Sequence, residues 1–152
     1  MKLFLDTEFT DLRSDAKLIS IALVDENENY FYAELTDTYT LEDCSDFVKL
    51  WVLPLLRGEP YRMTWAECQI RMGVWIEERG CECVVASDNP PWDIPYLNKL
   101  LTMHVWPQNL MTSYYPIWVP EDDKERIVME GDLYIHNALD DAMVMKRYEI
   151  DK

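Results

Sequence analysis

MKLFLDTEFTDLRSDAKLISIALVDENENYFYAEL, residues 1–35, is the stretch whose reading decides the fold. Residues 2–6, KLFLD, read as a short buried strand. LISIALVDE at 18–26 is rich in β-branched residues and reads as a second strand, and Tyr30 to Leu35 alternates as a third. The connections are short, with an Asn- and Glu-rich turn before the third strand. Three consecutive strands joined this way are predicted to form an antiparallel meander.

Downstream the period changes. Asp43 to about Leu56 places Phe47, Leu50, Trp51 and Leu55 near one helical face, with Pro54 as a kink or break. Thr64-Trp65-Ala66-Glu67 has capping-box spacing, and a periodic segment runs from it to Arg79, with Gly80 where a terminating glycine belongs. Cys83 to Ser87 reads as a fourth strand. After Pro90-Pro91 a helix is expected from about Trp92 to about Met103, which tolerates Pro95 if that residue lies in the first turn. Residues 107–132 read as loop-rich, with a short strand near 110–115, and a last helix runs from about Asn137 to Glu149. Three antiparallel strands followed by αβ units give an α/β fold. A mixed five-stranded sheet with helices on both faces is expected, over one domain spanning 1–152. This is the layout of a ribonuclease-H-like fold, and other mixed α/β folds can use it.

Composition excludes several classes. Almost half of the residues are apolar, which argues against disorder. No apolar run approaches the roughly 20 residues needed to cross a bilayer, and MKLFLDTEF is not a secretory signal. A soluble, cytoplasmic protein without a membrane partner is expected. Cys44, Cys68, Cys81 and Cys83 have no zinc spacing and are read as free thiols. The net charge of −15 argues against a protein that coats nucleic acid nonspecifically. It does not argue against an enzyme that holds divalent cations.

Three acidic motifs stand out. In a strand, residues i and i+2 face the same way, so Asp6 and Glu8 present two carboxylates side by side. Like charges this close call for a cation or a proton, and Mg²⁺ favours such oxygen ligands. An incidental acidic strand edge would look the same. The second motif is His136-Asn137-Ala138-Leu139-Asp140-Asp141. Five residues of continuous helix turn about 500°, which would set His136 and Asp141 apart. With Asn137 as N-cap, His136 lies just outside the helix and Asp141 in its first turns, so both can face one cleft. The third is Trp92-Asp93, at the junction of the fourth strand with the next helix, where open α/β sheets bind ligands. A helix-start acid serving the dipole is the plainer reading there.

Taken together and in this order, Leu5-Asp6-Thr7-Glu8-Phe9, Asp93 and His136-Asn137-Ala138-Leu139-Asp140-Asp141-Ala142 resemble the DEDDh 3′→5′ exonucleases. That family includes ribonuclease T and oligoribonuclease. The likeness is greatest to its small polyadenylate-specific exoribonuclease branch. Family members often carry Gly-His-Asn before the central acid, where this chain has Ser87-Asp88-Asn89. Asp93 fits the helix position of the middle ligand, and Asp88 is the rival.

The resemblance implies a metal-dependent exoribonuclease with two Mg²⁺ or Mn²⁺ ions. Asp6 would bridge the ions, Glu8 and Asp141 would complete the first, and Asp93 would serve the second. His136 would be the general base, and nucleoside 5′-monophosphates the product. Thr7, Phe9 and Trp92 would contact the substrate's 3′ end, Phe9 and Trp92 by stacking on the terminal base unless they belong to the core. By analogy with related ribonucleases a homodimer is expected. Tyr114, Tyr115 and Trp118, in a predicted loop, would be a lid, a substrate wall or a subunit contact. Glu121 to Arg126 reads as a solvated charged loop. Two alternatives stand beside this reading: a DNA 3′→5′ exonuclease, since no residue announces a 2′-hydroxyl contact, and a catalytically inactive acidic binding protein.

Overall fold

The computed structural model of the chain describes residues 1–102 and 105–151. The three opening strands are β1 (Lys2–Phe9), β2 (Leu18–Asp25) and β3 (Tyr30–Leu35), and they pair antiparallel in sequence order. Next come α1 (Asp46–Trp51), β4 (Arg62–Met63) and α2 (Trp65–Glu77). The remaining elements are β5 (Cys83–Ser87), α3 (Pro90–Leu100), β6 (Leu110–Pro116), α4 (Glu121–Gly131) and α5 (Ala138–Ile150). The sheet has six strands in the order β4-β3-β2-β1-β5-β6, not the expected five. The extra strand is the two-residue β4, parallel to β3 and too short to leave a periodic signature. β5 lies parallel to β1, and β6 parallel to β5.

Alternation along the strands builds two apolar layers. Leu3, Leu5, Ile21 and Leu23 pack with Met72 and Ile76 of α2 and with Leu97 and Leu100 of α3. Phe4, Ala22, Val24 and Tyr32 face the other way, onto Leu139, Ala142 and Met145 of α5. Helices therefore cover both faces. No helix among the described residues is long and apolar enough to cross a membrane. All four cysteines are free, and only Cys81 is exposed. Burial pushes the Cys68 thiol up to about 12, and burial followed by the nearby Cys81 pushes Cys83 up to about 11.

The helical predictions need four corrections. The segment from Asp43 to Leu56 is not one helix: a 3-10 turn, α1 and a second 3-10 turn containing Pro54 replace it. Ser45 restarts the chain as N-cap by accepting the Val48 N–H. The inward face of α1 is Val48 and Val52, which leaves Phe47, Leu50 and Trp51 exposed. α3 begins at Pro90, so Pro95 stands inside it rather than in its first turn. The expected end of that helix at Met103 lies outside the described residues, as does His104. Finally, residues 107–132 hold more regular structure than expected. The short strand near 110–115 is β6, which carries Tyr114 and Tyr115, but Glu121 to Arg126, read as a loop, open α4. Its dense charges masked a helical stripe of Lys124, Ile127 and Val128, of which Ile127 is buried and the other two partly so.

Two features prepare the functional end of the sheet. β1 outruns β5: their pairing ends at Phe4 opposite Ala86, while β1 stays on β2 through Asp6 opposite Ala22 and Glu8 opposite Ser20. The second is the start of α5. Asn137 caps it by accepting the N–H groups of Leu139 and Asp140 at 3.1 and 3.3 Å. Its amide nitrogen donates to the Tyr32 hydroxyl at 3.2 Å and to the Leu55 carbonyl at 3.1 Å. Asn137→Ala removes the cap and strands buried partners. It is expected to lower the unfolding free energy by about 2–4 kcal/mol in urea denaturation, with Asn137→Asp, which keeps the capping oxygens, intermediate.

Candidate metal centre

The odd residues of β1 face α2 and α3, and the even residues face α5. Asp6 and Glu8 therefore point toward α5, which carries Asp141 in its first turn. Oxygen atoms of Asp6, Glu8 and Asp141 all lie within 4.8 Å of one another. Thr7 points the opposite way, toward α3, and its hydroxyl donates to Asp93 Oδ1 at 2.6 Å. The other Asp93 oxygen accepts from the Ser87 hydroxyl at 2.6 Å. Asp93 is only 2% exposed and is held from two strands at once. Beyond the end of β5 there is no sheet to separate the faces, and Asp6, Asp88 and Asp93 form a second group within the same 4.8 Å limit. Asp6 belongs to both groups. Asp88 and Asp93, weighed as rivals in the sequence, both stand in the second.

Charge makes this cluster unusual. Burial raises the Asp6 carboxyl well above its ordinary range, and the charges of Asp141, Asp93, Glu8 and Asp88 raise it further. Glu8 is pushed up to about 9 by burial, then by Asp141 and Asp93. Burial lifts Asp141 to about 7, opposed by Lys124 and by the His136 N–H. Burial also lifts Asp93 to about 6, against the Ser87 and Thr7 hydroxyls. Asp88 is raised by burial and lowered by Lys124. Asp6 Oδ2 and Asp141 Oδ1 are buried and have no hydrogen-bond partner among the described residues. Buried oxygens left unsatisfied, in a donor set made only of carboxylates, fit a hard divalent cation such as Mg²⁺ or Mn²⁺.

His136 stands at the edge of this centre. Its φ is 70°, a left-handed conformation uncommon outside glycine. Its N–H donates to Asp141 Oδ2 at 2.9 Å, so the acid and the histidine backbone lock together just ahead of the Asn137 cap. The imidazole meets the Phe47 ring edge-on, with centroids 5.1 Å apart. Its pKa is lowered by burial and then by Lys124, which favours the neutral ring.

The aromatic candidates fall differently from one another. Phe9 stacks on Trp92 at 5.2 Å and on Tyr96 at 5.6 Å. It also lines a cavity of about 300 Å³ with Glu8, Leu12, Phe47, Val48 and Val52. Trp92 is not among the residues lining that cavity; it stacks behind Phe9. The Thr7 hydroxyl is buried on Asp93, so the side chain acts on the acid rather than facing a substrate. Sequence reading missed Lys124, Ser87 and Phe47. The stripe that continues from Lys124 to Ile127 and Val128 was the available signal for the first. Nothing in the spacing announced the Ser87 hydroxyl. Neither a protein-family model nor a curated protein sequence matches this chain.

These shifts set a pH dependence. A carboxyl whose folded pKa is raised binds more protons folded than unfolded, so stability falls as pH rises between the two values. For Glu8 that window runs from 4.5 to about 9, and for Asp141 from 3.8 to about 7. Metal-free protein is expected to lose stability from this cluster as pH rises through that range. Millimolar Mn²⁺ or Mg²⁺ should then raise the melting temperature by at least about 4 °C at pH 8 and by less than half as much at pH 5. Asp6→Asn should stabilise the metal-free protein at pH 8 and abolish most of the metal-induced rise. Differential scanning calorimetry with and without EDTA checks both.

Proposed function

We propose that this chain is a metal-dependent 3′→5′ exonuclease of the DEDDh type, acting on RNA and releasing nucleoside 5′-monophosphates. The observation that carries the reading is the meeting of Asp6, Glu8, Asp93 and Asp141 at one end of the sheet, with two of their oxygens buried and unpartnered. The antiparallel β1-β2-β3 unit, followed by parallel strands reached through helices, is compatible with a ribonuclease-H-like fold. An acidic binding protein has no need for two cation-sized carboxylate groups sharing one aspartate.

Asp6, Glu8 and Asp141 would hold one Mg²⁺ or Mn²⁺, and Asp6, Asp93 and Asp88 a second. Ions held there supply Lewis-acid stabilisation to the attacking and leaving oxygens of an in-line phosphoryl displacement. The neutral His136 imidazole accepts a proton from the attacking water. The water oxygen bonds to phosphorus and the P–O3′ bond breaks. The bonding pair goes to O3′, which takes a proton from solvent; the terminal nucleotide leaves with its 5′-phosphate, and the shortened strand keeps a 3′-hydroxyl. Lys124, whose charge reaches Glu8, Asp88 and Asp141, offsets negative charge at the mouth of the site. The cavity between Phe9 and the half-exposed Phe47, beside Glu8, has the volume, about 300 Å³, and the largely apolar walls to take the terminal base.

Incubation with end-labelled single-stranded RNA, duplex RNA and matched DNA, with and without Mg²⁺ or Mn²⁺, tests activity, polarity and sugar preference together. The expected result is a metal-dependent ladder shortening from the 3′ end of single-stranded RNA. Asp141→Ala should abolish cleavage while the far-ultraviolet circular dichroism stays unchanged; full activity in that variant refutes the reading. His136→Ala should lower kcat about 10²–10⁴-fold with little change in KM. Phe47→Ala should instead raise KM about 5- to 150-fold, the value of about 1–3 kcal/mol of base stacking, and an unchanged KM removes the base-pocket assignment.

A further inference from the structure

The loop that carries His136, residues 132–137 between α4 and α5, has little apolar packing to hold it. Tyr134 and Ile135 are 57% and 44% exposed, and the backbone is left-handed at both Asp132 and His136, with φ of 50° and 70°. A strained, thinly packed segment keeps one shape only where other contacts over-determine it. Asp141 supplies one such contact, through the His136 N–H. That carboxylate also belongs to the candidate metal centre. Its neighbour Asp140 belongs to neither acidic group. Asp140 Oδ2 accepts the Tyr134 N–H at 3.0 Å, and Oδ1 accepts from the Arg57 guanidinium at 2.5 Å. An acid that only complements the helix dipole needs neither burial nor a cationic partner. Asp140 has both, with its side chain 7% exposed.

Arg57 reaches Asp140 from a backbone that is itself fixed. Glu34 of β3 is buried, and its two oxygens accept the N–H groups of Arg57 and Gly58 at 2.7 and 2.8 Å. The Tyr32 hydroxyl donates to the same carboxylate and accepts from the Asn137 amide. The Tyr32 ring lies under the guanidinium, 5.8 Å from its carbon. A line of polar contacts therefore runs from β3 through Arg57 and Asp140 to Tyr134, two residues ahead of His136. Its start is in the sheet, and its end is in the segment that packing leaves loose.

We propose that Arg57 and Asp140 are positioning residues: the pair anchors the 134–136 backbone to the sheet and so holds the His136 imidazole against the metal centre. The two adjacent acids then divide the work. Asp141 faces the cations, and Asp140 faces away from them and fixes the loop. The catalytic consequence rests on the nuclease reading, in which His136 takes the proton from the attacking water; the anchoring of the loop does not. A general base displaced by about 1 Å loses on the order of 10² in rate, so a small slackening of this anchor is enough to register in kcat.

Arg57→Gln and Asp140→Asn, each alone and each combined with His136→Ala, test it on end-labelled single-stranded RNA with Mg²⁺, alongside amide hydrogen exchange followed by NMR. Each single change should lower kcat about 10- to 100-fold and leave KM within about twofold. The Tyr134 and His136 amides should exchange at least about tenfold faster, while the Met145 amide in the middle of α5 keeps its rate. In the His136→Ala background the same changes should alter kcat by less than about twofold, because the group they position is gone. A loss of kcat as large there as in the parent overturns the proposal, and so does an unchanged exchange rate at Tyr134. If leaving Asp140 without its cation unfolds the chain, Asp140→Asn, which removes the buried charge, decides alone. A parent without nuclease activity whose variants still exchange faster at both amides removes the nuclease reading and keeps the anchor. An active parent whose variants exchange at the parent's rate removes the anchor and keeps the nuclease reading.

Discussion

Carboxylates removed from water and crowded together resist ionising, and that resistance governs the functional end of this molecule. Asp6, Glu8 and Asp141 share one buried space, and burial holds the carboxyl of each above its ordinary range. An arrangement so costly persists only where rigid elements impose it. Here the imposing elements lie at the centre of the fold. β1 lies between β2 and β5, and α5 packs its apolar face directly onto β1 and β2. The acids sit on scaffolding that cannot yield to relieve their repulsion, so a cation is the natural relief.

The site forms where it does because the sheet stops. While strands lie side by side, their alternating side chains are separated by the sheet, and residues on opposite faces do not meet. Asp93 belongs to α3 on one face and Asp141 to α5 on the other. They become members of one constellation only because β5 ends at Ser87 while β1 continues to Phe9. Asp6, at the overhang, reaches both groups. Thr7 and Ser87 serve the same geometry by holding Asp93 in place from β1 and β5.

What the sequence discloses and what it hides follow from range. The meander, the cap at Asn137 and the pairing of Asp6 with Glu8 depend on neighbours in the chain, and each could be read from the residues. So could the freeing of His136 from the helix, although the left-handed backbone that accomplishes it could not. The extent of β1 past Phe4 depends on where β5 stops, which is a long-range fact. That is why Asp88 and Asp93 stood as alternatives in the sequence while the folded chain gathers both around Asp6. The face of α1 marked by its largest apolar residues, Phe47 and Trp51, is not the one that turns inward. The core is built from Val48 and Val52 instead. Composition misled at α4, where a run of charges concealed a helix that docks on α5 and carries Lys124 toward the acids.

The uneven burial of the thiols has a practical use. Cys44, Cys68 and Cys83 are enclosed, and their raised pKa values keep them from forming the nucleophilic thiolate at neutral pH. Cys81 alone is open to solvent, just ahead of β5, whereas the carboxylates gather past the opposite end of that strand. Five residues of strand set them roughly 15 Å or more apart. A maleimide dye or spin label would therefore attach at one defined point, far enough from the acids to report on them without obstructing them.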